Sequence, residues 1–107
     1  MCEVKRLYQN NFGEISQCGC SARIQLNFGN FVLGLSETEL EVLQGYSPPL
    51  YEQEKEAGRP TNERNIYLSP SVYHLMLAFS LEELAGLMDL INQASIVLQI
   101  QKILKEN

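Results

Sequence analysis

Residues 23–36 read Arg-Ile-Gln-Leu-Asn-Phe-Gly-Asn-Phe-Val-Leu-Gly-Leu-Ser, and this stretch constrains the fold more than any other. Ile24, Leu26 and Phe28 alternate with Arg23, Gln25 and Asn27. Beyond Gly29-Asn30 the alternation resumes with Phe31, Leu33 and Leu35. A glycine–asparagine pair supplies positive-φ residues at little cost, as a two-residue hairpin turn requires. Such a turn sets Phe28 opposite Phe31, Leu26 opposite Leu33 and Ile24 opposite Leu35. Six large apolar side chains then share one face, so turn chemistry and register agree.

A helix signal follows at once. Ser36-Glu37-Thr38-Glu39 has the spacing of a capping box, and Leu40 and Leu43 continue at helical spacing. The sequence predicts a short helix to about Gln44, stopped near Gly45, because Pro48-Pro49 opposes continuation. Residues 47–65 are rich in proline and charge and read as a long surface loop, with at most one helical turn around 52–57.

The second half repeats the order. Ile66-Tyr67-Leu68 and a run beginning at His74 and continuing through Leu75-Met76-Leu77-Ala78-Phe79 read as strands, and Ser80-Leu81-Glu82-Glu83 is a second capping box. Leu33 aligns with Leu77, Leu35 with Phe79, Ser36 with Ser80 and Leu40 with Leu84, with two more residues in the second turn. Two readings stand: a duplicated ββα unit, or the commonness of hairpin-then-helix order. From Leu84, the residues Leu87, Met88, Ile91, Ala94 and Leu98 form one apolar stripe. Ile96, Ile100 and Ile103, flanked by Val97 and Leu104, fall on nearly the opposite side of the same helix. A helix through 81–104 is favoured because neither glycine nor proline follows Gly86. A strand around Val97–Gln101 is the rival. Residues 4–18 read as two edge-type strands turning through Asn10–Gly13, which pairs Gln9 with Glu14 and Lys5 with Cys18.

These elements predict a single α+β domain over 1–107. It has a largely antiparallel sheet of about six strands and two helices, the long C-terminal one packed on the sheet. The length of 107 residues allows one modest core. With 13 acidic against 8 basic residues and a net charge of −5, the chain has no basic stripe for nucleic acid. No apolar run is long enough for a membrane span, and the N-terminus lacks a signal-peptide core. A cytoplasmic protein with reduced thiols is expected, and three cysteines, an odd number, argue against a disulfide framework.

Chemical signals are sparse. Phosphate loops, nucleophile elbows and His-Glu-x-x-His motifs are absent, so the chain reads as no recognisable enzyme and no cofactor is expected. Cys18 and Cys20 flank one glycine, and the first hairpin brings Cys2 toward them. With His74 they would make a Cys₃His set for zinc. Inert structural cysteines, and a core histidine beside Val72, Met76 and Ala78, are the plainer reading. The cysteine pair cannot bridge to itself without strain, and no helix terminus or basic pair is evident to lower a thiol pKa. Cys18-Gly-Cys-Ser-Ala-Arg-Ile-Gln-Leu-Asn-Phe-Gly-Asn30, followed by Leu-Ser-Glu-Thr-Glu-Leu, resembles an uncharacterised family of small bacterial proteins. That family carries a cysteine near residue 2 and a Cys-x-x-Cys pair before an Ile/His-x-Leu-x-Phe-Gly-Asn hairpin. The resemblance covers residues 1–45, and more loosely 81–91. Here Cys18 falls on the first cysteine of the pair, Ser21 on the second, and Cys20 is displaced by one. The resemblance implies the architecture and no activity. The function expected is a protein-interaction or assembly module, homo-oligomeric through Ile96, Ile100, Ile103 and Leu104. The alternative is a small zinc protein using Cys2, Cys18, Cys20 and His74.

Overall fold

The computed structural model describes residues 3–58, 60–70 and 75–106, the last without its side chain. Four strands form an antiparallel meander in chain order: β1 (Val4–Gln9), β2 (Gly13–Cys18), β3 (Ile24–Phe28) and β4 (Phe31–Leu35). Helix α1 (Glu37–Glu56) follows, then β5 (Ile66–Leu68) and β6 (Leu77–Phe79), which pair with each other. Helix α2 (Leu81–Glu106) ends the chain. The fold is α+β, as expected, with six strands among the described residues, divided into sheets of four and two.

The central hairpin has the expected register, with Ile24 opposite Leu35, Leu26 opposite Leu33 and Phe28 opposite Phe31. Gly29 alone takes the positive φ, 57°, which suits a turn with glycine first. Ile66 pairs with Phe79 and Leu68 with Leu77, so the aligned positions of the two hairpins pair in the same way. That repeated register is what a duplicated ββα unit requires. Both capping boxes close as well. Ser36 Oγ accepts from the Glu39 amide at 3.1 Å while the Ser36 amide donates to Glu39 Oε1 at 2.8 Å. Ser80 and Glu83 do the same at 3.1 and 3.0 Å. Each cap contributes about 1 kcal/mol and fixes where its helix starts.

The apolar face of the meander is the core. Ile15, Ile24, Leu26 and Leu35 are fully buried in one cluster with Leu84, Leu87, Leu90 and Ile91 of α2, while Phe31 and Met88 are half-buried. Phe28 joins the sheets: its ring meets Phe79 edge-on at 5.5 Å and Phe31 at 5.8 Å. Strand β2 is interior, not an edge, because β3 pairs with its free side.

Three expectations are corrected. Residues 47–56 are not loop: α1 continues to Glu56 through Pro48 and Pro49. The prolines leave the Gln44 and Gly45 carbonyls without their usual amides, a cost of about 3 kcal/mol for an interior proline. Tertiary packing offsets it. Leu40, Leu43 and Ser47 are buried, and Leu50 and Tyr51 pack against the core, all at helical spacing. The Ser47 hydroxyl donates to the Leu43 carbonyl at 2.8 Å. The helix ends instead at Gly58, whose φ of 73° terminates it in the left-handed region. The pairing of Lys5 with Cys18 is also corrected. Gln9 lies opposite Glu14 as expected, but a bulge between Arg6 and Tyr8 slips the register, so Val4 faces Cys18 and Lys5 faces Gln17. Strand β6 begins only at Leu77, so Leu75 and Met76, expected within it, precede it, and His74 lies outside the described residues. Residues 96–104 are helix, the reading favoured over a strand.

The β1–β2 turn locks this sheet to α2. Asn10 Oδ1 accepts from the amides of Phe12 at 2.9 Å and Gly13 at 3.2 Å. Its Nδ2 donates to the Gly86 carbonyl and to Asp89 Oδ2, both at 3.0 Å. The Tyr8 hydroxyl also bonds Asp89, which raises the Tyr8 pKa above its ordinary value. The Phe12 ring lies on Gly86, where any side chain would overlap it. A Cβ on Gly13 would overlap the Asn27 backbone carbonyl.

Gly13→Ala and Gly86→Ala should therefore differ in urea unfolding. The exposed Phe12 ring can swing aside, so Gly86→Ala should cost about 1 kcal/mol, whereas Gly13→Ala should cost at least about 3 kcal/mol because a strand must move. Equal losses would mean that the turn is not docked as described.

Candidate functional site

Two places carry unspent chemistry: the turn after β2 and the end of α2. Residues 19–23 connect β2 to β3. The Cys18 amide donates to the Arg23 carbonyl at 2.9 Å, and the Ala22 amide to the Cys18 carbonyl at 3.0 Å. Ala22 closes the turn with φ 58°, a conformation in which a side chain is strained by about 1–2 kcal/mol. The tight turn points the amides of Cys20 and Ser21 back at Cys18.

Cys18 is a half-buried free thiol. The Ser21 hydroxyl bonds its sulfur, and the amides of Cys20 and Ser21 add to this, so its pKa is lowered from the ordinary thiol value. The expectation that nothing nearby could lower a thiol pKa overlooked this cause. Backbone amides do the work there, and one-letter spacing carries no signal for them except the small residues Gly19, Ser21 and Ala22 that let the turn close. The expectation that all the thiols are reduced fails at Cys20, which is disulfide-bonded. Cys18 and Cys20 are not bridged to each other, in keeping with their geometry.

Of the suggested zinc set, Cys18 and Cys20 share this turn, while Cys2 and His74 lie outside the described residues. Among the described residues no group of three or more His, Cys, Asp or Glu side chains could hold a metal ion. With its sulfur in a disulfide, Cys20 offers no thiolate to one.

The end of α2 is built differently. Ala94 and Leu98 are buried, which turns one side of the helix inward. Helix α1 fixes the rotation further: Ser95 Oγ donates to Gln44 Oε1 at 3.2 Å, Gln44 Nε2 to Asn92 Oδ1 at 3.3 Å, and Lys102 Nζ pairs with Glu37 at 2.8 Å. The opposite side is consequently held outward. Ile96, Ile100, Ile103 and Leu104 are 48%, 51%, 58% and 70% exposed, in one stripe. All four residues predicted to form an interaction surface are thus brought together. No helix among the described residues is long and apolar enough to cross a membrane.

These features define a small α+β protein with a meander, a lone two-stranded sheet and two capped helices. The chain belongs to DUF6686, a family of unknown function, whose model matches residues 1–106. No curated protein and no solved structure matches the chain.

Ser21→Ala should raise the Cys18 pKa back toward the ordinary thiol range, since the largest lowering cause is removed. Alkylation by iodoacetamide followed against pH should then show its midpoint moved upward. The rate at neutral pH should fall severalfold, with the high-pH plateau unchanged or slightly higher. An unshifted midpoint would remove Ser21 from the account.

Proposed function

We propose that this protein is a small cytoplasmic interaction module that associates with a second copy of itself through the outward face of α2. The single observation that supports this reading is the stripe of Ile96, Ile100, Ile103 and Leu104, each 48% or more exposed on an internally braced helix. Scattered apolar residues on a surface are ordinary, but four contiguous ones on one helix face are not. The 4–3 spacing of the isoleucines is that of a helix–helix seam.

A second copy suits this face, and the charge pattern favours an antiparallel arrangement about a two-fold axis near Ile100. Parallel helices would set Lys105 against its own copy. Antiparallel helices carry Lys105 toward the polar, uncharged Asn92 and Gln93 of the other chain, and Ile96 toward Ile103. Burying the exposed parts of eight such side chains yields about 10 kcal/mol gross, at roughly 1.2 kcal/mol each. Lost translational and rotational freedom takes at least about 4 kcal/mol. The remainder corresponds to a dissociation constant of tens of micromolar, a reversible dimer. In a reducing cytoplasm Cys20 would be a thiol, and the interface, on another element, would be unaffected.

Sedimentation equilibrium tests this with the intact chain, loaded from tenfold below to tenfold above that constant. The apparent mass should rise from 12.1 kDa toward twice that value with concentration. Ile100→Asp should hold it at the single-chain mass while leaving the melting temperature of the monomer within a few degrees. A wild-type mass that stays at one chain throughout the range rejects the proposal.

A further inference from the structure

The sheet has a second face, turned away from α2. Ser16, Cys18, Arg23 and Gln25 alternate onto it, and Val4 of the edge strand closes one side. Gly34, opposite Gln25, presents no side chain, so this face dips into a depression lined by these six residues and Ile24. The Arg23 guanidinium lies across the gap, with Nη2 3.4 Å from where a Gly34 Cβ would stand.

Three groups in the depression are chemically unspent. Cys18 is the free thiol, with Ser21 and the turn amides directed at its sulfur. Arg23 makes no ion pair among the described residues, in contrast to Arg6, which pairs with Glu14 at 3.0 Å. Ser16 is 2% exposed and lines the depression, and among the described residues its hydroxyl makes no side-chain hydrogen bond. Among the described residues the buried side-chain oxygen left without a partner is Asn65 Oδ1, so the Ser16 hydroxyl is reached from the depression, where a ligand's polar atom can meet it. A guanidinium recognises a carboxylate. A thiolate held by donors reacts with a disulfide sulfur.

We propose that this depression is a thiol-exchange site, at which Cys18 takes up one half of a low-molecular-weight disulfide that carries a carboxylate. The Cys18 thiolate attacks one sulfur of that disulfide. A new S–S bond forms to Cys18 as the old one breaks, and the second half departs as a thiolate that takes its proton from water. Cys18 is oxidised and the departing half is reduced, so no further oxidant is required. Arg23 is a positioning residue that holds the carboxylate, and Ser16 bonds a polar atom of the retained half. The site lies on the opposite face of the sheet from α2 and does not rest on self-association.

The test uses the intact protein, purified without reductant, with oxidised glutathione as the charged probe and bis(2-hydroxyethyl) disulfide as the neutral one. Mass spectrometry follows adduct formation, and peptide mapping locates it. The adduct should form on Cys18, disappear in Cys18→Ser, and form faster than in urea-unfolded protein. Arg23→Gln should reduce the ratio of charged-probe to neutral-probe rates about threefold, the scale of an exposed ion pair, while the neutral-probe rate holds. An adduct chiefly on another cysteine, a rate no greater than in the unfolded chain, or an unchanged ratio in Arg23→Gln would overturn the proposal.

Discussion

Helix α2 sets the terms for the rest of the molecule. Its 26 residues make a rod about 39 Å long, in a chain whose shorter extents are 26 and 25 Å. No single patch of sheet can cover such a rod. Its first two-thirds lie on the meander and are apolar toward it, through Leu84, Leu87, Leu90, Ile91 and Ala94. Beyond Ala94 it is held by α1, through Ser95, Leu98 and Lys102, and its isoleucines face away. Core and candidate interface are thus two consequences of one helix that outruns its support.

The start and rotation of that helix are fixed by polar contacts. The Ser80–Glu83 box sets its first turn, and Arg64 grips the same Glu83 carboxylate at 2.9–3.1 Å. Arg64 holds the Glu83 carboxyl below its ordinary pKa. One turn further on, Asn10 reaches from the β1–β2 hairpin to the Gly86 carbonyl and Asp89. Because Asn10 also shapes its own turn, the hairpin cannot shift without disturbing α2.

Much of this was legible in the sequence wherever local chemistry and long-range packing agreed. Alternation on both sides of Gly29-Asn30 named the central register, and the two Ser-x-x-Glu boxes placed both helix starts within a residue. The opposed stripes of α2 separated buried from exposed faces. The sequence misled where packing overrode propensity. Pro48-Pro49 spoke for a stop, yet Leu40, Leu43, Ser47 and Leu50 already spelled a continuous stripe that outweighed it. The bulge at Arg6–Tyr8 left no pattern to read, since one extra residue in an exposed strand changes no periodicity. Only part of the cysteine turn was legible: the thiols were conspicuous, whereas Ser16 reaches the depression beside Cys18 only through strand pairing, and Arg23 through the empty place at Gly34.

The central claim is that the outward end of α2 is covered by another copy of the chain. Hydrogen exchange of the α2 amides, measured at protein concentrations below and above the expected dissociation constant, tests it most directly. If a second copy covers this face, amides from 96 to 106 slow as concentration rises, because opening of the helix end must then also break the interface, while the core strands β2 and β3 exchange as before. If residues 96–106 exchange at the same rate at both concentrations, nothing in solution covers the isoleucine face and the account of α2 as a self-association element is wrong.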